Sequence, residues 1–152
     1  MSSGQRHAAA ALVLASIFAA GPVLAHEPAE LVRDLYTEPS LTFDEGRTAG
    51  YFSSDVDGAM KPGARIAPIG FDYRYGAGEL QVSELQLVTD IDHDQARVVA
   101  VFKNRGKANS VDWTLCRRPD GDWRIADASS NTGAQDWDLR QILRLPAQTI
   151  RC

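Results

Sequence analysis

The sequence predicts an α+β fold, in which N-terminal helices pack on a curved antiparallel sheet and a short helix ends the chain. Apolar residues recur at helical spacing between residues 28 and 60, and alternating strand patterns follow between residues 79 and 127. Short turns separate the later strands, so we expect sequential strands to be antiparallel neighbours. A helix that covers a curved sheet can leave a cone-shaped cavity, where we expect a ligand to bind.

Residues 1–25 are organised as an export signal. Arg6 precedes an apolar run from Ala8 to Ala20, and a cleavage site of small or aliphatic residues ends at Ala25. The run is shorter than the roughly 20 residues that span a bilayer. We therefore expect cleavage near Ala25, a periplasmic or secreted location, and no membrane span in the mature chain. A retained anchor is the alternative interpretation.

Two helices are predicted at the start of the mature chain. The first begins at Pro28, carries Glu30 near its positive end and stops before Pro39. Its apolar stripe consists of Leu31, Val32, Leu35 and Tyr36. The second extends from about Thr48 to Met60, with Tyr51, Phe52 and Val56 on its apolar side.

Four strands are predicted after a glycine-rich loop over residues 62–79. They are Glu79 to Val88, Arg97 to Lys103, Ser110 to Cys116 and Asp122 to Asp127. The second is apolar on both faces, which is typical of an interior strand. The third alternates, with Val111, Trp113 and Leu115 on one face. The segment Asp90 to Asp94 is predicted to be a turn.

A short helix is predicted near the C-terminus. Asp136 or Asp138 can cap it, and Pro146 closes it. Its stripe consists of Leu139, Ile142 and Leu143.

Composition limits the function classes. The chain has 152 residues, is 44% hydrophobic and 24% charged, and has a formal net charge of −4. These values argue against disorder, and mild acidity argues against a nucleic-acid partner because phosphate binding needs clustered basic residues. We expect residues 26–152 to form a single domain that uses no cofactor.

The chain has two cysteines, Cys116 and Cys152. In an oxidising compartment such a pair favours a disulfide, which would tie the C-terminus to the sheet. Two free thiols, or a bridge to another chain, are the alternatives.

No metal site is expected. His26 and His93 lack the spacing of zinc ligands. Asp90, Asp92 and Asp94 alternate as in a calcium loop, but Gln95 stands where that loop needs glycine.

The segment Asp120 to Asp127 reads DGDWRIAD and resembles the closing strand of the nuclear transport factor 2-like (cystatin-like) roll. With the leader, the segments 31–36, 71–88 and 139–143 resemble a bacterial secreted family, domain of unknown function 3828. The resemblance covers most of residues 27–145. That superfamily contains enzymes, binding modules and toxin-immunity proteins, so the resemblance leaves the function open.

Asp127 is the candidate acid or base. Alternation places it on the face of Trp123 and Ile125, where apolar walls would raise the pKa of its carboxyl. The resemblance implies a tyrosine donor beside such a group, and Tyr36, Tyr73 or Tyr75 could supply it. The alternative is that Asp127 pairs with a loop amide or an arginine at the strand end.

Asp72 lies among aromatic residues in the glycine-rich loop. That loop would suit a binding lid over a pocket, or it is a packed connector. The predicted ligand-binding residues are Tyr36, Tyr73, Tyr75, Trp113, Trp123 and Asp127. For the two tryptophans, core packing is the alternative.

The expected function is an exported, non-catalytic binding module. Its partner would be a small apolar ligand or an envelope protein, and an immunity or inhibitor role falls within this class. The alternative is a small isomerase or dehydratase that uses Asp127 or Asp72 as general base, with Tyr36 as donor. A third reading is a structural envelope protein that dimerises through its sheet, so both monomer and homodimer are open.

Overall fold

The computed structural model describes residues 26–37, 50–60, 81–132, 136–147, 150 and 152, and the fold is α+β. The elements in chain order are α1 (Pro28–Thr37), α2 (Ser54–Met60), β1 (Val82–Asp92), β2 (Gln95–Asn104), β3 (Lys107–Arg117), β4 (Trp123–Ser130), β5 (Trp137–Asp138) and α3 (Leu139–Ile142). The predicted export signal and the loop that carries Asp72, Tyr73 and Tyr75 lie outside the described residues.

The five strands form one antiparallel sheet in the order β1-β2-β3-β4-β5. The antiparallel order of β2 to β4 confirms the prediction, whereas β5 was not predicted. A two-residue turn joins β2 to β3. Its residues, Arg105 and Gly106, have φ values of 51° and 76°. Positive φ at both positions suits the type I′ turn that matches the twist of a hairpin. The predicted acidic turn is shorter than expected, because β1 continues to Asp92 before it reverses.

One face of the sheet, which we call the inner face, carries the hydrophobic core. The predicted inward residues of β3, Val111, Trp113 and Leu115, are buried. Helix α1 begins at Pro28 as predicted and buries its whole apolar stripe in the same core. The Tyr36 ring lies 5.2 Å from that of Phe102 and stands edge-on to Trp113. These contacts attach α1 to β2 and β3.

The opposite face, which we call the outer face, is far more exposed. Strand β2 was predicted to be apolar on both sides, and it does lie between two neighbours. Its burial nevertheless alternates, and Val101 is 42% exposed. On β1, Val88 is 64% exposed. The apolar residues on the second side of β2 therefore do not belong to a second core within the described chain.

The start of α2 differs from the prediction. The helix begins at Ser54, whereas Tyr51 lies in a turn and Phe52 forms an isolated bridge with Ile125. The amide of Ile125 donates to the Tyr51 carbonyl (2.8 Å), and the amide of Ser53 donates to the Ile125 carbonyl (2.8 Å). This short parallel bridge satisfies backbone groups on the edge of β4 that β5 does not reach, which favours this arrangement over a longer helix.

A bulge in β4 moves Asp127 to the outer face. Leu115 pairs with Ile125, but the preceding Thr114 pairs with Asp127, so Ala126 is an extra residue. One extra residue inverts the alternation of every later side chain. The prediction that Asp127 shares the face of Trp123 and Ile125 is therefore wrong.

The predicted disulfide is confirmed. Cys116 on β3 is bonded to Cys152, with their Cα atoms 5.9 Å apart. The bond fixes the last residue of the chain against the sheet. Within the described ranges, no helix is both long enough and apolar enough to cross a membrane.

We expect the double variant Cys116→Ser/Cys152→Ser to lose about 3–4 kcal/mol of unfolding free energy. The bond closes a loop across a sequence separation of 36, and its removal restores entropy to the unfolded chain. Urea unfolding of the purified, disulfide-bonded protein measures the loss. A reductant should lower wild-type stability by a similar amount and leave the double variant unchanged. Equal midpoints for the oxidised wild type and the variant would contradict a stabilising role.

Candidate functional site

The structure separates residues that the sequence had grouped as one ligand site. Tyr36, Trp113 and Trp123 are all buried members of the hydrophobic core. The indole Nε1 of Trp113 donates to the Tyr36 hydroxyl (3.2 Å). Asp127 lies on the outer face, so the sheet separates it from Tyr36. The structure therefore does not bring the carboxylate and this tyrosine together.

Asp127 is held by backbone amides. Its Oδ1 accepts hydrogen bonds from the amide of Ala128 (2.8 Å) and the amide of Arg140 (3.2 Å). Burial raises the pKa of the Asp127 carboxyl, and repulsion from Asp138 adds to the increase. The two amides and the charge of Arg140 oppose this change. Asp127 thus has the raised pKa expected of a general base, but the described contacts tie it to the start of α3.

Arg140 is the most buried charged residue described, with 1% of its surface exposed. Its Nη1 donates to the carbonyl of Ala126 (3.0 Å), and its Nε donates to the carbonyl of Pro146 (3.0 Å). Its Nη2 donates to Oδ2 of Asp55 (2.8 Å). One guanidinium therefore links α2, β4, α3 and the segment that follows α3.

Asp55 is arranged to accept this charge. Its Oδ1 accepts from the Ser53 hydroxyl (2.7 Å) and from the amide of Val56 (2.9 Å). Burial acts to raise the pKa of the Asp55 carboxyl, but the hydrogen bonds from Ser53 and Arg140 and the positive charge of Arg140 outweigh it and lower the pKa. The carboxylate stays ionised and paired at neutral pH.

Sequence patterns did not indicate the Arg140–Asp55 pair. The partners are separated by 85 positions. Arg140 follows Leu139 in sequence, but a charged residue next to an apolar stripe is ordinary in an amphipathic helix, so the pattern carried no signal for its burial. Nothing in the spacing identified its partner, because Asp55 reads as an ordinary first-turn acid of α2.

Two clefts lined by described residues lie on the outer face of the sheet, and the cavity expected beneath α1 stays a prediction. The larger, which we call the outer cleft, has a volume of about 370 Å³. Its lining includes Arg97, Ser110, Asp112, Ser129, Asp136 and Trp137. A smaller recess of about 240 Å³ shares Arg97 and continues past Thr114 toward Asp90 and Asp92.

An ion pair lies in the outer cleft. Arg97 Nε donates to both carboxylate oxygens of Asp112 (2.9 and 2.8 Å), and Nη2 of Arg97 also contacts Oδ2. The hydrogen bonds and charge of Asp112 raise the pKa of Arg97. Sequence reasoning missed this pair, although the tight Arg105-Gly106 turn fixes the register that makes the two residues diagonal neighbours.

No family model, curated protein or solved structure matches this chain. Among the described residues, no group of three or more histidine, cysteine, aspartate or glutamate side chains could hold a metal ion.

We expect Arg140→Met to lose about 2–4 kcal/mol of unfolding free energy. Removal of a buried charge leaves its partner uncompensated, and the lower end of the range reflects the 23% exposure of the Asp55 side chain. Urea unfolding gives the value. Arg140→Lys should recover only part of it, because an ammonium group cannot reach several acceptors in a fixed fork. Arg97→Gln removes an exposed arginine; it is the matched control and should change the urea midpoint little. An equal loss of stability in Arg140→Met and Arg97→Gln would argue against a stabilising role of the Arg140 contacts.

We expect Asp127→Asn to alter the pH dependence of stability. The folded pKa of Asp127 lies above its ordinary value of 3.8, so between these values the folded state retains a proton that the unfolded state has released. The protonated Asp127 carboxyl therefore stabilises the folded state at pH below about 4. This contribution is lost as the pH rises through the pKa of Asp127 in the folded state. The variant should gain stability relative to wild type from acid to neutral pH. Unfolding free energies across that range, with Asp94→Asn as an exposed control, test the sign.

Proposed function

We propose that this chain is an exported, non-catalytic binding module whose outer sheet face holds its ligand or partner. The observation that carries the proposal is the exposed outer face, where Val88 and Val101 lie in the open and the outer cleft indents the surface. An antiparallel sheet with its core on one side leaves its other side accessible to a ligand or partner. Exposed apolar side chains beside charged ones are typical of a binding surface.

The proposed compartment is the periplasm or the exterior of the cell. The Cys116–Cys152 bond supports it, because disulfides persist in oxidising compartments. The apolar run of residues 1–25 supports it independently, with cleavage near Ala25. We further propose that residues 26–152 form one nuclear transport factor 2-like roll, related to the secreted family of domain of unknown function 3828. The described helix-then-sheet order is compatible with that roll.

The contacts of the charged residues support binding rather than catalysis. Asp127 is occupied by two backbone amides, and Arg140 is occupied by Asp55 and two carbonyls. Both belong to the attachment of α3 to the sheet. A general base needs a proton to abstract within hydrogen-bond reach, and Tyr36 is instead engaged with Trp113 in the core.

One observation favours a second candidate function. Asp127 is half-buried with a raised pKa, which is how an isomerase or dehydratase prepares a carboxylate as a base. A ligand recovered with the protein and then converted on incubation would support this candidate, provided that Asp127→Asn abolishes the conversion. Conversion that persists in Asp127→Asn would exclude Asp127 as the base.

We expect the substitution Val101→Asp to weaken capture of a natural ligand or partner by about tenfold or more, because it places a charge on the proposed contact surface. The full chain is produced with its leader, and the exported species, starting at His26, is analysed by native mass spectrometry and by periplasmic pull-down. Lys107→Glu, at the exposed start of β3, is the control and should behave as wild type. Undiminished capture by Val101→Asp would remove the outer face from the proposal. An absence of any bound species across several growth conditions would remove the binding function.

A further inference from the structure

We propose that the outer cleft binds a neutral saccharide unit. This inference rests on the proposed binding function and names the chemical class of its ligand. It also differs from the apolar ligand that the sequence suggested.

The size and lining of the cleft indicate a small hydroxylated ligand. A volume of about 370 Å³ is near the lower end of the range for small-molecule sites and suits about one or two sugar rings. Most of its lining side chains are polar, and its apolar surface comes from Val99 and Trp137. A fully apolar ligand would leave these polar groups without water or partners, which costs free energy.

The charges of the cleft favour a neutral ligand. Arg97 and Asp112 neutralise each other through a bidentate pair, so neither presents an unbalanced charge. Their remaining hydrogen-bonding capacity can still serve hydroxyl groups, because carboxylate oxygens accept and guanidinium groups donate several bonds. Asp136 adds one negative charge, which disfavours carboxylate or phosphate ligands.

The polar groups are held in place by neighbouring strands. Ser110 and Asp112 lie on β3 and Ser129 lies on β4, directly opposite Asp112. Ser130 is oriented by the bond from its hydroxyl to the carbonyl of Ser110 (2.6 Å). Within the described chain, neither the Ser129 hydroxyl nor the Asp136 carboxylate bonds to another protein group. Both are therefore available to a ligand, on a scaffold that needs little ordering.

Trp137 supplies the aromatic surface of the cleft. It is half-buried, packs against the core cluster and also lines the cleft beside Val99. A pyranose ring has an apolar face of C–H groups and a rim of hydroxyls, so an aromatic wall next to serine, arginine and aspartate groups matches both parts. A rigid indole also contributes contact area at low entropic cost.

The test is titration of the mature, disulfide-bonded protein with glucose, galactose, N-acetylglucosamine, cellobiose and chitobiose, followed by saturation-transfer difference and amide chemical-shift NMR. We expect at least one of these probes to bind with a roughly millimolar dissociation constant. In a shallow polar cleft, the costs of desolvation and ordering leave only a small net free energy of binding. The shifts should centre on β5 and on Ser129. A preference for disaccharides would indicate a glycan chain, and equal binding of monosaccharides would indicate a free sugar.

Three variants show whether the cleft is responsible. Trp137→Ala should weaken binding about tenfold or more, while Trp137→Phe should retain most of it because an aromatic wall remains. Ser129→Val should weaken binding several-fold through one lost hydrogen bond, and it tests the proposal even where Trp137→Ala fails to fold. Arg33→Gln, at an exposed position of α1 and outside the cleft, is the control and should bind as wild type. Unchanged binding in Ser129→Val and Trp137→Ala would place any saccharide elsewhere.

Two further outcomes would overturn the inference. Choline tests whether the cleft binds a cation instead of a neutral saccharide, because an aromatic wall beside a carboxylate can also hold a cation. Binding of choline that salt and Asp136→Asn abolish, with no saccharide binding, would make the cleft a cation site. If no probe binds but Val101→Asp still disrupts capture of a protein partner, the saccharide inference fails while the binding module stands. If neither probe nor partner binds, both proposals fail.

Discussion

The buried guanidinium of Arg140 is the interaction on which the arrangement of the described elements depends. It contacts a carboxylate of α2, a carbonyl of β4 and a carbonyl beyond α3, three segments that are distant in sequence. A charge that is 1% exposed is tolerated only when its partners are all in position, so each segment restricts where the others can lie. The lowered pKa of Asp55 is the electrostatic consequence of the same arrangement.

The second constraint is the one-sided core. Trp113 and the stripe of α1 fill the inner face, and their contacts leave the polar groups of β2 to β4 on the outer face. The disulfide then fixes the C-terminus to β3, on the strand that also carries Asp112 of the outer cleft. The core and the proposed binding surface thus lie on opposite sides of one sheet. Substitutions at exposed positions of the outer face should therefore change stability little.

Local chemistry made much of the fold predictable. The periodicity of Leu31 to Tyr36 and the alternation of Val111 to Leu115 identified α1 and β3, because burial on one side imposes those spacings. The candidate site was less predictable. A single bulge at Ala126 reversed the orientation of Asp127, and bulges leave no signal in a count of alternating residues. Tyr36 and Trp113 are aromatic residues of the kind that often line binding sites, but they pack against each other in the core.

By itself, the sequence determined the order of helices and strands, the α+β class and the cysteine pair, since each follows from local spacing or from residue counts. Tertiary structure alone decided which side of the sheet would be open and which charges would meet. Arg140 and Asp55 are 85 positions apart, and their pairing appears only once α2, β4 and α3 have packed. Arg97, Asp112 and Ser129 become one cleft through strand register. Contacts between distant residues depend on the whole packed arrangement, which no local pattern encodes.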